Sequence, residues 1–265
     1  MPLAAESPAP CFAPCALIPI YNHKDTIART AHALRAHGLP VMIVDDGSDA
    51  ATRAVLDALV HELPEIQLLR LPQNQGKGRA LTTGLLAAHA AGYTHALQID
   101  ADGQHDVADV PRFLAEARAD LQALVCGQPI YDDSVPRARL YGRYLTHVCV
   151  WLETLSLTIR DSMCGYRLYP LPATCAEIAR APLPARMDFD TEIAVRLVWR
   201  GVPVHNLPTR VIYPENGLSH FRMLRDNARI TAMHTRLLLG MLPRAPRLLW
   251  RRIRPNRRRS EACAT

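Results

Sequence analysis

Apolar and polar positions change rhythm along the chain, separating short buried runs from amphipathic ones. Cys15 to Ile20 is apolar and stops at Tyr21-Asn22, which predicts a buried strand and a loop. Asp25 to His37 has helical spacing with Gly38 as its stop. Pro40 to Val44 is a second apolar run, ending at Asp45-Asp46-Gly47-Ser48. A helix from Ala50 to Leu63 and a strand from Ile66 to Leu71 follow. Asn74-Gln75-Gly76-Lys77-Gly78-Arg79 opens a helix that runs to Ala91, and Tyr93 to Ile99 is a further strand ending at Asp100. Strand and helix in alternation predict an α/β fold, a doubly wound and mostly parallel sheet with helices on both faces. Ligands of such sheets bind at the carboxyl ends of the strands. Tyr21-Asn22, Asp45-Asp46, Asn74 to Lys77 and Asp100 to Gln104 all fall there and are expected to share one face.

The second half is less regular. Helices are predicted over Pro111 to Asp120, Val135 to Ile159, Phe189 to Arg200 and Asp226 to Leu242, and strands over Gln122 to Cys126 and Val202 to Ile212. Asp161 to Tyr169 reads as a loop and a short strand. No repeat or linker interrupts the chain, which divides into a flexible Pro- and Ala-rich leader (1–14), one folded unit (15–242) and a basic tail (243–265).

Composition changes the picture mainly at that tail. The chain carries a net charge of +6, yet eight arginines lie between Arg244 and Arg259 with no acid among them, so the remainder is slightly acidic. Leu248, Leu249, Trp250 and Ile253 interleave with these arginines, a pattern that suits a helix lying on an anionic membrane surface. A disordered basic tail and a nucleic-acid contact are the other readings. Aromatics are only 6% of the chain, which disfavours a base-stacking platform, and no specific nucleic acid is expected. Seven cysteines without a Cys-x-x-Cys pair point to reduced thiols and a cytoplasmic protein rather than a disulfide framework or thiolate zinc site. The N-terminus does not read as a secretory signal, and no apolar window reaches the roughly 18 residues of a membrane span.

Candidate chemistry concentrates at the strand ends. Asp100 and Asp102 are two carboxylates two positions apart, and their repulsion is relieved by a hard divalent cation with oxygen ligands, Gln104 among them. A solvated acidic turn is the plain alternative. Asp45-Asp46-Gly47-Ser48 can cap a helix, and a carboxylate there can also accept the imide N–H of a nucleobase. Gly76 and Lys77 suit the close approach of a diphosphate, although the spacing is not that of a Walker loop. His205 and His234 lack partners at ligand spacing and read as structural.

Taken together, Pro19-Ile20-Tyr21-Asn22, Val44-Asp45-Asp46-Gly47-Ser48, Asn74-x-Gly76-Lys77-Gly78 and Asp100-Ala101-Asp102-Gly103-Gln104 occur in the order seen in family 2 glycosyltransferases. Gly165-Tyr166-Arg167-Leu168-Tyr169 and Phe189-Asp190-Thr191-Glu192 continue the match. From Cys15 to Phe221 the chain resembles that family, most of all its dolichyl-phosphate mannose synthase-like branch. The resemblance implies a GT-A (nucleotide-diphospho-sugar transferase) fold and an inverting transfer from a nucleotide-sugar donor. It implies Pro19, Tyr21 and Asp46 at the nucleoside, and Asp100, Ala101, Asp102 and Gln104 at the diphosphate and metal, while Asn22, Gly76 and Lys77 are expected at the donor beside them. Mg2+ or Mn2+ would sit on Asp100, Asp102 and Gln104. The implied acceptor is a polyprenyl phosphate gripped by Arg167 and by Arg143 or Arg139, at the inner face of a membrane. His23 stands where the branch has Glu. Pro214 and Gly217-Leu218-Ser219-His220 replace an Arg and a Gly-x-Ser-Lys segment, with His220 or Arg222 as substitutes.

A phosphate acceptor needs no general base. A hydroxyl of a glycan or lipid does, and Asp190 or Asp188 is then the candidate, unless they only cap the helix after them. The expected catalytic residues are Asp102, Asp190 and Arg167. A sugar-nucleotide-binding scaffold without catalysis is the reading of another class, which the intact Asp100 and Asp102 disfavour.

Overall fold

The computed structural model describes residues 12–130, 137–211 and 223–253, the last two segments beginning with backbone alone at 137–141 and 223–224. The first half follows the predicted alternation: β1 (Pro14–Ile20), α1 (Ile27–Ala36), β2 (Val41–Asp45), α2 (Ala50–Glu62), β3 (Gln67–Arg70), α3 (Lys77–Ala90) and β4 (His95–Gln98). Next come α4 (Val110–Ala119), β5 (Leu124–Ile130), α5 (Arg137–Thr154), β6 (Arg167–Pro170) and α6 (Leu171–Arg180). The chain continues through α7 (Phe189–Arg200), β7 (Val204–Arg210), α8 (Met223–Met241) and α9 (Ala245–Ile253).

Among the described residues the strands form one sheet in the order β3-β2-β1-β4-β6-β5-β7. β1 pairs parallel with β2 and β4, and β6 runs antiparallel between β4 and β5. Side chains alternate across each strand, so β1 sends Cys15 and Leu17 into one core and Ala16, Ile18 and Ile20 into the other. The first core is closed by Leu81 and Leu85 of α3 with Phe189 and Ile193 of α7. The second is closed by Leu34 of α1, Leu56 of α2 and Phe113 of α4. β1, β2 and β4 are therefore buried on both faces and read as continuous apolar runs.

Two elements depart from the predicted set. α6 was not foreseen, because Leu171-Pro172 resembles a break, yet proline is well placed in the first turn of a helix. The helix predicted over Val135 to Ile159 ends at Thr154, where Leu155 takes a left-handed φ of 48°. Within the basic tail, Ala245–Ile253 forms the helix α9, the helical one of the readings made for that segment. No helix of the described residues is long and apolar enough to cross a membrane. Pro214, Gly217, His220 and Arg222 lie outside the described residues, as do the leader up to Cys11 and the tail beyond Ile253. The side chain of Arg139 lies outside them too.

Candidate active site

The four predicted clusters meet at the carboxyl ends of β1, β2 and β4. Asn22, at φ 60°, accepts from the Asp49 amide at 2.8 Å, and its own N–H reaches the Ser48 hydroxyl at 3.1 Å. Pro19 is buried in β1, and Tyr21 is partly exposed at its end. Asp45 Oδ1 accepts the Ser48 amide at 2.9 Å and closes the turn.

Asp46 is committed to the glycine-rich loop. Its Oδ1 accepts from the Gln75 N–H and its Oδ2 from the Gly76 N–H, both at 2.7 Å, and the residue is buried. Burial raises its pKa, against the pull of these two amides. Each carboxylate oxygen thus holds one loop amide, and Asp46 anchors the glycine-rich loop in this structure. Gly76 has φ 104°, and a Cβ there would overlap the Ala185 carbonyl and the Arg186 side chain. Arg186 itself reaches Asn74 Oδ1 at 2.6 Å.

Lys77, the first residue of α3, is the electrostatic centre of the site. Its Nζ lies 2.7 Å from Asp100 Oδ1, 2.9 Å from Asp100 Oδ2 and 3.0 Å from Asp190 Oδ2. Burial works against the ammonium, but the charges of Asp100 and Asp190 outweigh it and its pKa rises. Burial likewise opposes ionisation of Asp100, and Lys77 with His105 reverses this, holding its carboxyl well below the usual range. His105 Nε2 sits 3.7 Å from Asp100 Oδ2. Asp102 is pushed the other way, up, first by burial and then by the charge of Asp100. Its Oδ1 accepts the Gln104 amide at 3.0 Å. The Ala101 carbonyl accepts from the Thr26 hydroxyl at 2.5 Å.

Gly165 explains how these groups come so close. A Cβ there would overlap the Asp100 carboxylate and stand 2.8 Å from Lys77 Nζ.

Arg167 and Arg143 differ in how far they are open to an acceptor. Arg167 is wholly buried, giving Nε–H to the Cys164 carbonyl at 2.9 Å, one terminal N–H to the Ser162 carbonyl at 2.7 Å and another to the Asp190 carbonyl. Buried and engaged by three backbone carbonyls, the Arg167 guanidinium acts in this structure as a clamp between the loop before β6 and the start of α7. Arg143 forms a two-pronged pair with Asp161, both N···O distances being 2.7 Å, and remains 16% exposed. Asp161 also takes the amides of Met163 and Cys164, so Arg143 is held at the edge of the same loop.

Asp190 lies in the first turn of α7 and is buried, its Oδ1 accepting from Gln98 Nε2 at 3.0 Å. Gln98 Oε1 in turn accepts from the Tyr169 hydroxyl at 3.0 Å. Asp188 precedes α7 but makes no capping bond, and its Oδ1 is buried without a partner. Sequence reasoning missed Gln98, His105 and Arg186. His105 stands next to Gln104 and could have been suspected, whereas Gln98 looks like one more strand residue and Arg186 lies 112 residues from the Asn74 it holds. His234 pairs with Glu153 at 2.6 Å and His205 with Glu116 at 3.0 Å, as structural histidines do.

The sequence comparison decides the family. Residues 15–183 match the family described as "Glycosyl transferase family 2". The chain belongs to glycosyltransferase family 2. It is 30% identical over 223 residues to the UDP-N-acetylglucosamine--dolichyl-phosphate N-acetylglucosaminyltransferase of Methanococcus voltae, covering 77% of this chain and 87% of that one. It is 29% identical over 180 residues to the dolichyl-phosphate beta-glucosyltransferase of Dictyostelium discoideum, covering 62% of this chain and 52% of that one. The chain thus spans about half the length of that glucosyltransferase. A solved mannosyltransferase from Pyrobaculum calidifontis, in complex with GDP-Man and Mn2+, superposes with a TM-score of 0.55 at 16% identity. That superposition covers 92% of this chain and 76% of the other, and it establishes the GT-A fold.

The donor set at Asp100, Asp102 and Gln104 fits a divalent cation. It is all oxygen, and the two carboxylates repel one another, the charge of Asp100 helping to push the Asp102 carboxyl up. Among the described residues no three His, Cys, Asp or Glu side chains converge as a full cage. A cation here would complete its shell with phosphate oxygens and water, as Mg2+ and Mn2+ do.

Proposed function

We propose that the protein transfers a sugar, with inversion, from a nucleotide-diphospho-sugar to a polyprenyl phosphate. The observation that carries this reading is the meeting of Lys77, Asp100 and Asp190 at the strand ends, in a chain of a family whose relatives are named for dolichyl-phosphate acceptors. The donor diphosphate would lie along the Gly76-Lys77 loop, beside Asp100 and Asp102. Asp100, Asp102 and Gln104 would hold Mg2+ or Mn2+, which would supply positive charge to the departing diphosphate. Lys77 adds a fixed cation where that negative charge develops. The acceptor phosphate oxygen attacks the anomeric carbon from the side opposite the diphosphate, forming the new C–O bond as the old one breaks. An ionised phosphate needs no base, which agrees with Asp190 being buried against Gln98 and Lys77 rather than open to a hydroxyl acceptor. Arg143, partly exposed, is the remaining described candidate for the acceptor phosphate.

α9 supports peripheral attachment to the inner face of a membrane. Arg251 gives N–H bonds to the Trp199 and Arg200 carbonyls, and Leu248 is buried beneath it, so the helix is fixed to the protein. Leu249, Trp250 and Ile253 stay exposed among arginines.

A thermal-shift panel of UDP-, GDP- and TDP-sugars, with and without Mn2+ or Mg2+, tests the donor site, because stabilisation follows ligand concentration over Kd. Metal-dependent stabilisation by one class of donor is expected. Stabilisation by none would overturn the reading.

A further inference from the structure

Behind Asp190 lies a pair of residues that the open site does not use. Gln98 is the last residue of β4 and Tyr169 belongs to the antiparallel neighbour β6; both are fully buried. The two side chains form a chain of bonds that ends at the site: Tyr169 hydroxyl to Gln98 Oε1, Gln98 Nε2 to Asp190 Oδ1, Asp190 Oδ2 to Lys77 Nζ, and Lys77 to Asp100. Direction is fixed along this chain. A carboxylate only accepts, so Gln98 must turn its amide N–H toward Asp190 and its carbonyl toward Tyr169, which then donates. With Oδ1 held in this way and its backbone carbonyl held by Arg167, Asp190 has one orientation, and Oδ2 faces Lys77. The ammonium is therefore shared between two carboxylates instead of resting on Asp100 alone.

We propose that Gln98 and Tyr169 are positioning residues that fix Asp190, divide the Lys77 charge between Asp190 and Asp100, and so keep Asp100 available to a divalent cation. The inference rests on the site reading above. If Gln98 is made apolar, Asp190 loses the bond that sets its orientation, and Lys77 settles on Asp100. The cation then competes with a fully engaged ammonium, so its affinity falls although no charge has been removed. Tyr169 acts one bond further back, with a smaller effect of the same sign.

The test uses the full chain and Mn2+, titrated by calorimetry in the presence of UDP or GDP, whichever raises Tm. Gln98→Met removes the amide at similar length, and Tyr169→Phe removes only the hydroxyl. Asp190→Asn removes the charge itself, and Thr174→Val is a control that deletes a buried hydroxyl bond in α6. Gln98→Met is expected to weaken Mn2+ binding roughly tenfold, the scale of one hydrogen bond to a charged group. Tyr169→Phe should weaken it by a smaller factor, Asp190→Asn by more than either, and Thr174→Val by nothing measurable. Gln98→Met combined with Asp190→Asn should bind no worse than Asp190→Asn alone, which a general loss of packing would not produce. If Gln98→Met does not fold, Tyr169→Phe carries the test. Native affinity in Gln98→Met and Tyr169→Phe, with a weakened Asp190→Asn, overturns the inference and leaves the site reading standing. Native affinity in Asp190→Asn likewise overturns the inference alone, whereas no Mn2+ binding by the unaltered chain overturns both.

Discussion

Replacing Arg167 with methionine removes three donors from the interior and leaves the carbonyls of Ser162, Cys164 and Asp190 without them. A buried carbonyl stranded outright costs about 1–3 kcal/mol, and the Ser162 carbonyl loses less because it keeps the Thr191 hydroxyl at 3.0 Å. The variant also escapes the cost of burying a guanidinium, which returns part of the loss, so the net destabilisation is about 3–5 kcal/mol. For a chain of this size each kcal/mol lowers Tm by roughly 2–4 °C, which predicts a fall of roughly 6–20 °C. Thermal unfolding of the ligand-free protein, followed by circular dichroism, measures it. Arg167→Lys should recover only part of the loss, because an ammonium cannot span three carbonyls in the plane of a guanidinium. An acceptor-gripping arginine would behave differently, leaving Tm intact while raising the acceptor KM. A Tm within about 2 °C of native in Arg167→Met would refute the clamp and return Arg167 to the acceptor site.

Gly165→Ala places a methyl group against Asp100 and Lys77, and overpacking of about 1–3 kcal/mol is expected to appear as a tenfold to hundredfold loss of donor-dependent activity. Steady-state kinetics at native Tm would show it, and unchanged turnover would mean that the Lys77–Asp100 contact is dispensable. Burial pushes the Cys15 and Cys164 thiols up to about 12, and those of Cys126 and Cys175 up to about 11, from an ordinary 9.0. The folded chain therefore keeps protons that the unfolded chain loses, so stability is full below pH 9.0 and falls as pH rises toward 12. Urea titrations at pH 8 and pH 10 should show the drop, and a level profile would contradict the burial of these thiols. Substituting Leu249, Trp250 and Ile253 together by serine should abolish co-sedimentation with anionic vesicles while leaving Tm close to native, since all three are exposed. Unchanged sedimentation would sink the α9 anchor.

The first half of the fold was legible because β1, β2 and β4 are buried on both faces and stand out as apolar runs between helices. β6 and α6 were harder. β6 has four residues, its direction depends on pairing with strands distant in sequence, and α6 carries in its first turn a proline that reads as a break. At the site, Lys77, Asp100 and Asp190 could be named from local motifs, because each lies at a strand end or a helix start. The roles of Asp46 and Arg167 could not be read in the same way. Whether a charged side chain faces the cleft or the interior depends on which backbone groups nearby lack partners, and only the folded chain shows that. Asp46 found two loop amides and Arg167 found three carbonyls. Gln98 was invisible for the opposite reason: it is a polar residue in an apolar strand whose partners come from β6 and α7.

Sugar transfer itself tests the central claim most directly. The protein would be incubated with Mn2+, a polyprenyl phosphate and, one at a time, radiolabelled UDP-, GDP- and TDP-sugars, and the label partitioned between organic and aqueous phases. Label should enter the organic phase with one class of donor, depend on the metal, and vanish with Asp100→Asn. No organic-phase label from a donor that stabilises the protein would contradict a polyprenyl phosphate acceptor.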